Sequence, residues 1–187
     1  MLLGLTYIYF DRASARRLRF PILMLAFVIP LPSAAIDAIS EPLVTTTADF
    51  VTDLLPWFNI DVLREGQLLT VNRNGENVFH QVIMARECSG IRSLVALLAL
   101  GCLLTYVMGR SKVHSQVLLL SILPLVLLGN TLRVLSTVLM IIYVSPETAE
   151  NYFHWSSGLL LFAFTLIGLL INDTLLMRMR SPGRQVS

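Results

Sequence analysis

Residues 115–144 read SQVLLLSILPLVLLGNTLRVLSTVLMIIYV, thirty positions with no acidic side chain and one cation, Arg133. About twenty apolar residues cross the hydrocarbon layer of a bilayer. A span that begins at Ser115 therefore runs out of membrane near Arg133 to Ser136, and Thr137 to Val144 is left to turn along the surface or re-enter. Comparable runs lie on either side. Ser89 to Met108 is apolar apart from Arg92 and ends at GRSK, and Trp155 to Leu176 is a clean last span followed by MRMRSPGR. Upstream, FPILMLAFVIPLPSAAI from Phe20 to Ile36 reads as the first full span despite Pro30 and Pro32, because neighbouring helices can satisfy the carbonyls that proline leaves free. The opening MLLGLTYIYF is too short to cross and reads as the trailing half of a span whose start is absent. The pattern predicts an all-α integral membrane helical bundle of about four to five spans, one membrane domain over residues 1–187.

Composition agrees. Of 187 residues 55% are hydrophobic and 14% charged, against about a quarter charged in soluble domains. The length leaves no room for a separate soluble domain. The net charge of +2 comes from basic residues scattered over short loops, so no nucleic-acid partner is implied. Cys88 and Cys102 stand fourteen residues apart in one expected helix, about 21 Å by helical rise, too far for a disulfide. The N-terminus does not follow a signal-peptide plan, since its apolar stretch precedes the basic cluster.

Residues 37–87 form the polar part, with eight acidic residues against Arg64, Arg73 and Arg86. Within it Leu43 to Phe58 spaces apolar residues as an amphipathic helix lying on the interface does. Alternation around Asn74-Gly75 predicts a β-hairpin near residues 67 to 84. Arginines 12, 16, 17 and 19, then Arg110 and Lys112, then Arg178, Arg180 and Arg184 all fall on one face if 115–144 crosses once. By the positive-inside rule that face is cytoplasmic. The 37–87 segment, and with it Cys88, Arg133 and His154, then lies at the extracytoplasmic face.

Cys88 sits in ARECSGIRS where the second span begins, and both a helix N-terminus and Arg92 one turn on favour thiolate, while Glu87 acts against it. The plainer reading, a small apolar side chain, suits Cys102 in LLALGCLLTY. Arg133 in so apolar a run costs about 2.5 to 3.5 kcal/mol at the bilayer centre, so it faces the bundle interior or a wet cavity unless it snorkels to headgroups. Asn130 lies one turn before it on the same face and is placed to hold the guanidinium or a substrate carbonyl. His154 directly precedes the last span, with Gly158 one turn below; it titrates near neutrality and suits an acid/base role, although an aromatic belt of Tyr152, Phe153 and Trp155 also accommodates an interfacial histidine. His80 and His114 fall elsewhere, His114 on the cytoplasmic side. A cysteine nucleophile needs a base and a donor for developing charge, and His154 and Arg133 match these needs. No pair of metal ligands occurs at a recognised spacing, and no metal or cofactor is implied.

These residues also carry a family likeness. ECSGIRS at Glu87 to Ser93, GNTLRV at Gly129 to Val134 and HWSSG at His154 to Gly158 resemble, in order and separation, the three blocks of the exosortase and archaeosortase family. LREG at Leu63 to Gly66 and PLP at Pro30 to Pro32 are similar to segments of bacterial exosortases. The resemblance implies a multi-pass protein of the bacterial inner membrane, a cysteine protease and transpeptidase acting at the extracytoplasmic side. Its partner is the C-terminal sorting region of exported proteins: a short Pro-Glu-Pro-type motif, a membrane helix and a basic tail. Cys88 is then the nucleophile, Arg133 the stabilising cation and His154 the acid/base, with Glu87, Ser89, Arg92, Asn130 and Gly158 in supporting positions. Membrane lipid is the other expected partner. Family members commonly carry further membrane helices before this region. Two alternatives remain on sequence alone: a non-catalytic membrane subunit for exopolysaccharide assembly or export, and a thiol-dependent membrane acyltransferase.

Overall fold

The computed structural model describes the backbone over residues 12–30, 32–73, 79–84, 89–144 and 154–180, and side chains over 18–30, 32–73, 79–84, 89–144 and 158–179. Two compact units divide the chain, Met1–Ser33 and Ala34–Ser187. The first holds helix α1, Arg12–Met24, and a 3-10 turn at Leu25–Phe27. A continuous span over Phe20 to Ile36 is not found. The helix stops before Pro30, and a new one starts at Ser33 after Pro32. Each proline lacks an N–H and pushes the residue before it out of the helical region, so two prolines one residue apart end a helix that hydropathy alone would continue.

Helix α2 covers Ser33–Leu54, all but its first residue in the second unit, and runs into a 3-10 turn at Leu55–Phe58. It begins ten residues earlier than the expected interfacial helix. Its buried positions, Ser40, Leu43, Val44, Thr47, Ala48 and Val51, repeat at three- and four-residue steps and define one inward stripe. Strands β1 (Ile60–Glu65), β2 (Leu68–Arg73) and β3 (Phe79–Ile83) then form an antiparallel sheet in that order. The expected hairpin is present as β2 and β3, with Leu68 opposite Ile83 and Asn72 opposite Phe79; its Asn74-Gly75 loop lies outside the described residues. Strand β1 is an addition to that expectation. It joins β2 through Gly66-Gln67, and Gly66 at φ +64° takes the first loop position, where a two-residue type II′ turn calls for glycine. Arg64 closes the same turn, its Nε donating to Gly66 O at 2.9 Å, and pairs with Asp49 on α2.

Three apolar helices follow: α3 (Ile91–Val107), α4 (Lys112–Tyr143) and α5 (His154–Arg180). Helix α3 ends in a Schellman turn, in which Gly109 at φ +59° lets Arg110 N reach Thr105 O at 2.9 Å and Gly109 N reach Tyr106 O at 3.2 Å. Ser111 then caps α4, accepting from His114 N at 3.4 Å. Among the described residues Lys112–Tyr143 and Gly158–Met179 are long and apolar enough to cross a membrane. The expected four to five spans would draw also on the shorter apolar helices Ile91–Val107 and Leu18–Phe27.

Helix α4 neither turns nor re-enters after Ser136. It continues unbroken for 32 residues, about 48 Å at 1.5 Å per residue, well beyond a hydrocarbon layer of about 30 Å. The surplus has a destination. Val134, Leu135 and Val138, with Leu139 and Ile142 beside them, pack under Val44, Ala48, Val51 and Leu55 of the α2 segment and Ile60, Leu69, Val71 and Met84 of the sheet segment. Tyr143 at its end donates to Phe58 O at 3.1 Å and lies under the Arg73 guanidinium. The first half of α4 belongs to a second core, where Leu118, Ile122 and Val126 meet Leu97 of α3 and Leu169 of α5. One helix thus threads a three-helix bundle and a sheet-and-helix head.

Candidate active site

The junction between bundle and head holds Ser89, Gly90 and Asn130, with Arg133 one turn further along α4. Asn130 is fully buried, and its Nδ2 donates to Thr47 Oγ1 on α2 at 3.2 Å. The chain entering α3 lies against the same residue. Gly90, the N-cap at φ +72°, sits so close to α4 that a Cβ there would be 3.2 Å from Val126 Cγ1 and 3.5 Å from Asn130 Cγ. Glycine is thus required for its backbone angle and kept by the approach. Ser89, 1% exposed, turns its Oγ to accept from Ile91 N at 3.3 Å. Ser89, Gly90, Asn130 and Thr47 therefore form one buried cluster.

Arg133 follows Asn130 by one turn of α4 and is half-buried. With Gly129, Leu132 and Ser136 it lines a cavity of about 180 Å³ whose other wall is Leu160, Leu161 and Phe164 of α5. Beside it α4 and α5 come together at Gly129, where a Cβ would fall 2.5 Å from Leu161 Cδ1 and 2.8 Å from Thr165 Cγ2. The lining is mostly apolar, and Leu132, Leu160 and Phe164 are exposed, so this is an open groove on the α4–α5 face. The Asn130 Nδ2 is taken by Thr47 Oγ1, a partner that the sequence reading did not supply.

Helix α5 begins at His154, so the histidine occupies the α5 end that faces the Arg133 end of antiparallel α4; its side chain lies outside the described residues. Gly158 is half-buried with open space around its Cβ direction. Arg92 is exposed on the second residue of α3. Cys88 and Glu87 lie outside the described residues; α3 begins at Ile91, three positions after Cys88 in the sequence.

Two features escaped the sequence reading. Thr47 is one of three consecutive threonines; Thr45 and Thr46 donate to their own helix at Glu41 O and Pro42 O, while Thr47 alone points inward. The signal was available in the stripe spacing of α2. The other is a buried ionic cluster at the far end of the bundle. Asp173, 6% exposed, accepts from Arg110 Nη2 at 2.6 Å and lies 2.7 Å from His114 Nε2, which carries the hydrogen since a carboxylate only accepts. The last span is therefore not clean: an acidic residue within it demanded a partner.

No curated protein and no solved structure gives a match to this chain. The family model described as transmembrane exosortase matches residues 1–171, a stretch that holds every feature of the junction described above. By that match, and in keeping with its long apolar helices, this membrane protein belongs to the transmembrane exosortase family.

Proposed function

We propose that the chain is a membrane cysteine protease and transpeptidase that cleaves C-terminal sorting signals of exported proteins at the extracytoplasmic rim of the bacterial inner membrane. Cys88 is the nucleophile, Arg133 the stabilising cation and His154 the acid/base. The observation that carries this reading is the docking of Ser89-Gly90 on Asn130, one turn from Arg133. Cys88 directly precedes Ser89 in the chain, and consecutive Cα atoms are about 3.8 Å apart, which supports a nucleophile working near this junction.

The chemistry runs in two halves. The Cys88 thiolate attacks the scissile carbonyl, forming a C–S bond, and the charge that develops on the carbonyl oxygen is met by the Arg133 guanidinium in the mostly apolar groove. The C–N bond then breaks as protonated His154 gives its proton to the leaving amine, releasing the membrane helix and basic tail. An acceptor nucleophile attacks the resulting thioester, its proton passes to His154, and the C–S bond breaks. Arg133 suits the oxyanion because its planar fork presents two donors.

Cys88→Ala and Arg133→Ala are each expected to abolish processing of a sorting-signal protein while leaving the chain in the membrane, as read by immunoblot of membrane fractions. A thiol-specific probe applied from outside intact cells is expected to label Cys88 quickly and to do so more slowly in His154→Ala. Processing that persists in Cys88→Ala cells contradicts the mechanism, and labelling that ignores His154 favours the non-catalytic subunit.

A further inference from the structure

The two edges of the sheet are treated differently. Edge strand β1, IDVLRE, carries Asp61, Arg64 and Glu65, ties Arg64 to Asp49 and is packed by the 3-10 turn Leu55–Phe58. Charges and a covering segment are the usual protections of a sheet edge against unwanted pairing. Edge strand β3, FHQVI, has no acidic residue, lysine, arginine or proline. Its phase follows from Met84 N donating to Gln67 O at 2.8 Å. Backbone groups alternate in an antiparallel ladder, so Val82 and His80 bond β2, while the N–H and C=O groups of Phe79, Gln81 and Ile83 point away from the sheet. Among the described residues no strand pairs with them. The side chains of Phe79 and Ile83 are 67% and 70% exposed.

We infer that this open edge is the substrate-binding strand: the extended segment of the sorting signal adds to β3 as a fourth strand. The inference rests on the proposed function and deepens it. The occupant is indicated by where β3 leads, since only four residues separate Ile83 from Cys88. A peptide held along Phe79, Gln81 and Ile83 is thereby delivered toward the nucleophile. Pairing is parallel, because enzyme and substrate chains both pass from an extended segment into a helix that enters the membrane from the same side. Main-chain hydrogen bonds supply affinity in this mode, which suits an enzyme that accepts many exported proteins sharing only a short motif.

The probe is a synthetic peptide comprising the ten residues before the motif, the motif and a few residues after it, so that the scissile bond keeps its leaving amine, from an exported protein of the same genome that ends in motif, helix and basic tail. Added to the full-length protein in lipid nanodiscs, it is expected to slow amide hydrogen exchange about tenfold or more at Phe79, Gln81 and Ile83, leaving Val82 and His80 unchanged. Gln81→Pro removes one outward N–H and no bond to β2. It is expected to raise KM for the peptide roughly fivefold to tenfold, with kcat within twofold and Cys88 probe labelling unaltered. Val82→Pro, which breaks the ladder, is the folding control. Acylation of Cys88 by the peptide without added protection along β3, or an unchanged KM in Gln81→Pro, overturns the edge site and leaves the proposed function standing. Neither protection nor acylation overturns both.

Discussion

The two halves of α4 are equally apolar and live in different surroundings. Toward its start the helix turns Leu118, Ile122 and Val126 to the bundle and leaves Leu120 75% and Leu128 52% exposed. In lipid such exposure costs nothing, and the close approaches at Gly129 and at Gly168, whose Cβ would lie 2.9 Å from Leu125 Cδ2, do the packing instead. Toward its end the same kind of sequence is roofed by α2 and the sheet, with Val138 fully buried and Ser136 exposed, the arrangement of a core that meets water. Asn130 stands where the two regimes meet. The proposed site is centred on this residue, which Thr47 of α2 and Gly90 before α3 both meet.

Disrupting the bundle's ionic anchor is expected to have the largest effect on this contrast. Asp173→Ala strands Arg110, whose side chain is 16% exposed, and is expected to cost about 3 to 5 kcal/mol, read as loss of the helical signal at lower temperature in detergent. Next comes Gly129→Ala, which drives a methyl against Leu161 and Thr165; overpacking of this kind costs about 1 to 3 kcal/mol and should show in the same melt. A matched pair then separates the two cores. Ile60→Val in the head and Ile122→Val in the bundle each remove one buried methylene, about 0.5 to 1.5 kcal/mol. Hydrogen exchange in urea is expected to register the head variant in the sheet amides only, and equal effects of both on those amides would dissolve the distinction between the cores. The smallest effect belongs to Arg64→Ala. Asp49 in that pair is 61% exposed, so about 0 to 1 kcal/mol is expected, together with faster exchange near Gly66 where Arg64 closes the turn.

Hydropathy made α3, α4 and α5 legible, because a twenty-residue apolar run has few other uses, and Asn74-Gly75 between alternating stretches marked β2 and β3. What stayed hidden depended on tertiary partners. Whether Thr137 to Val144 re-enters the membrane or forms a soluble core is decided by Leu69, Val71 and Val44, which hydropathy cannot bring near them. Strand β1 was obscured because Leu63 and Arg64 blur its alternation and half its residues are charged. The break at Pro30 to Pro32 was visible in the residues but was outweighed by the apolar letters around it. In the candidate site, Arg133 and Asn130 declared themselves as polar residues in an apolar run, whereas Thr47 is 83 positions from Asn130 and carried only the helical spacing of α2 as a clue.

Intact-mass analysis of the purified protein, acid-quenched seconds after a sorting-signal protein is added, tests the account most directly. The expected product is a covalent adduct on Cys88 with the mass of the substrate's N-terminal fragment, released by hydroxylamine and missing from Cys88→Ala. An adduct on Cys102, or a cleaved substrate with no adduct at any time while Cys88→Ala cleaves equally well, contradicts it.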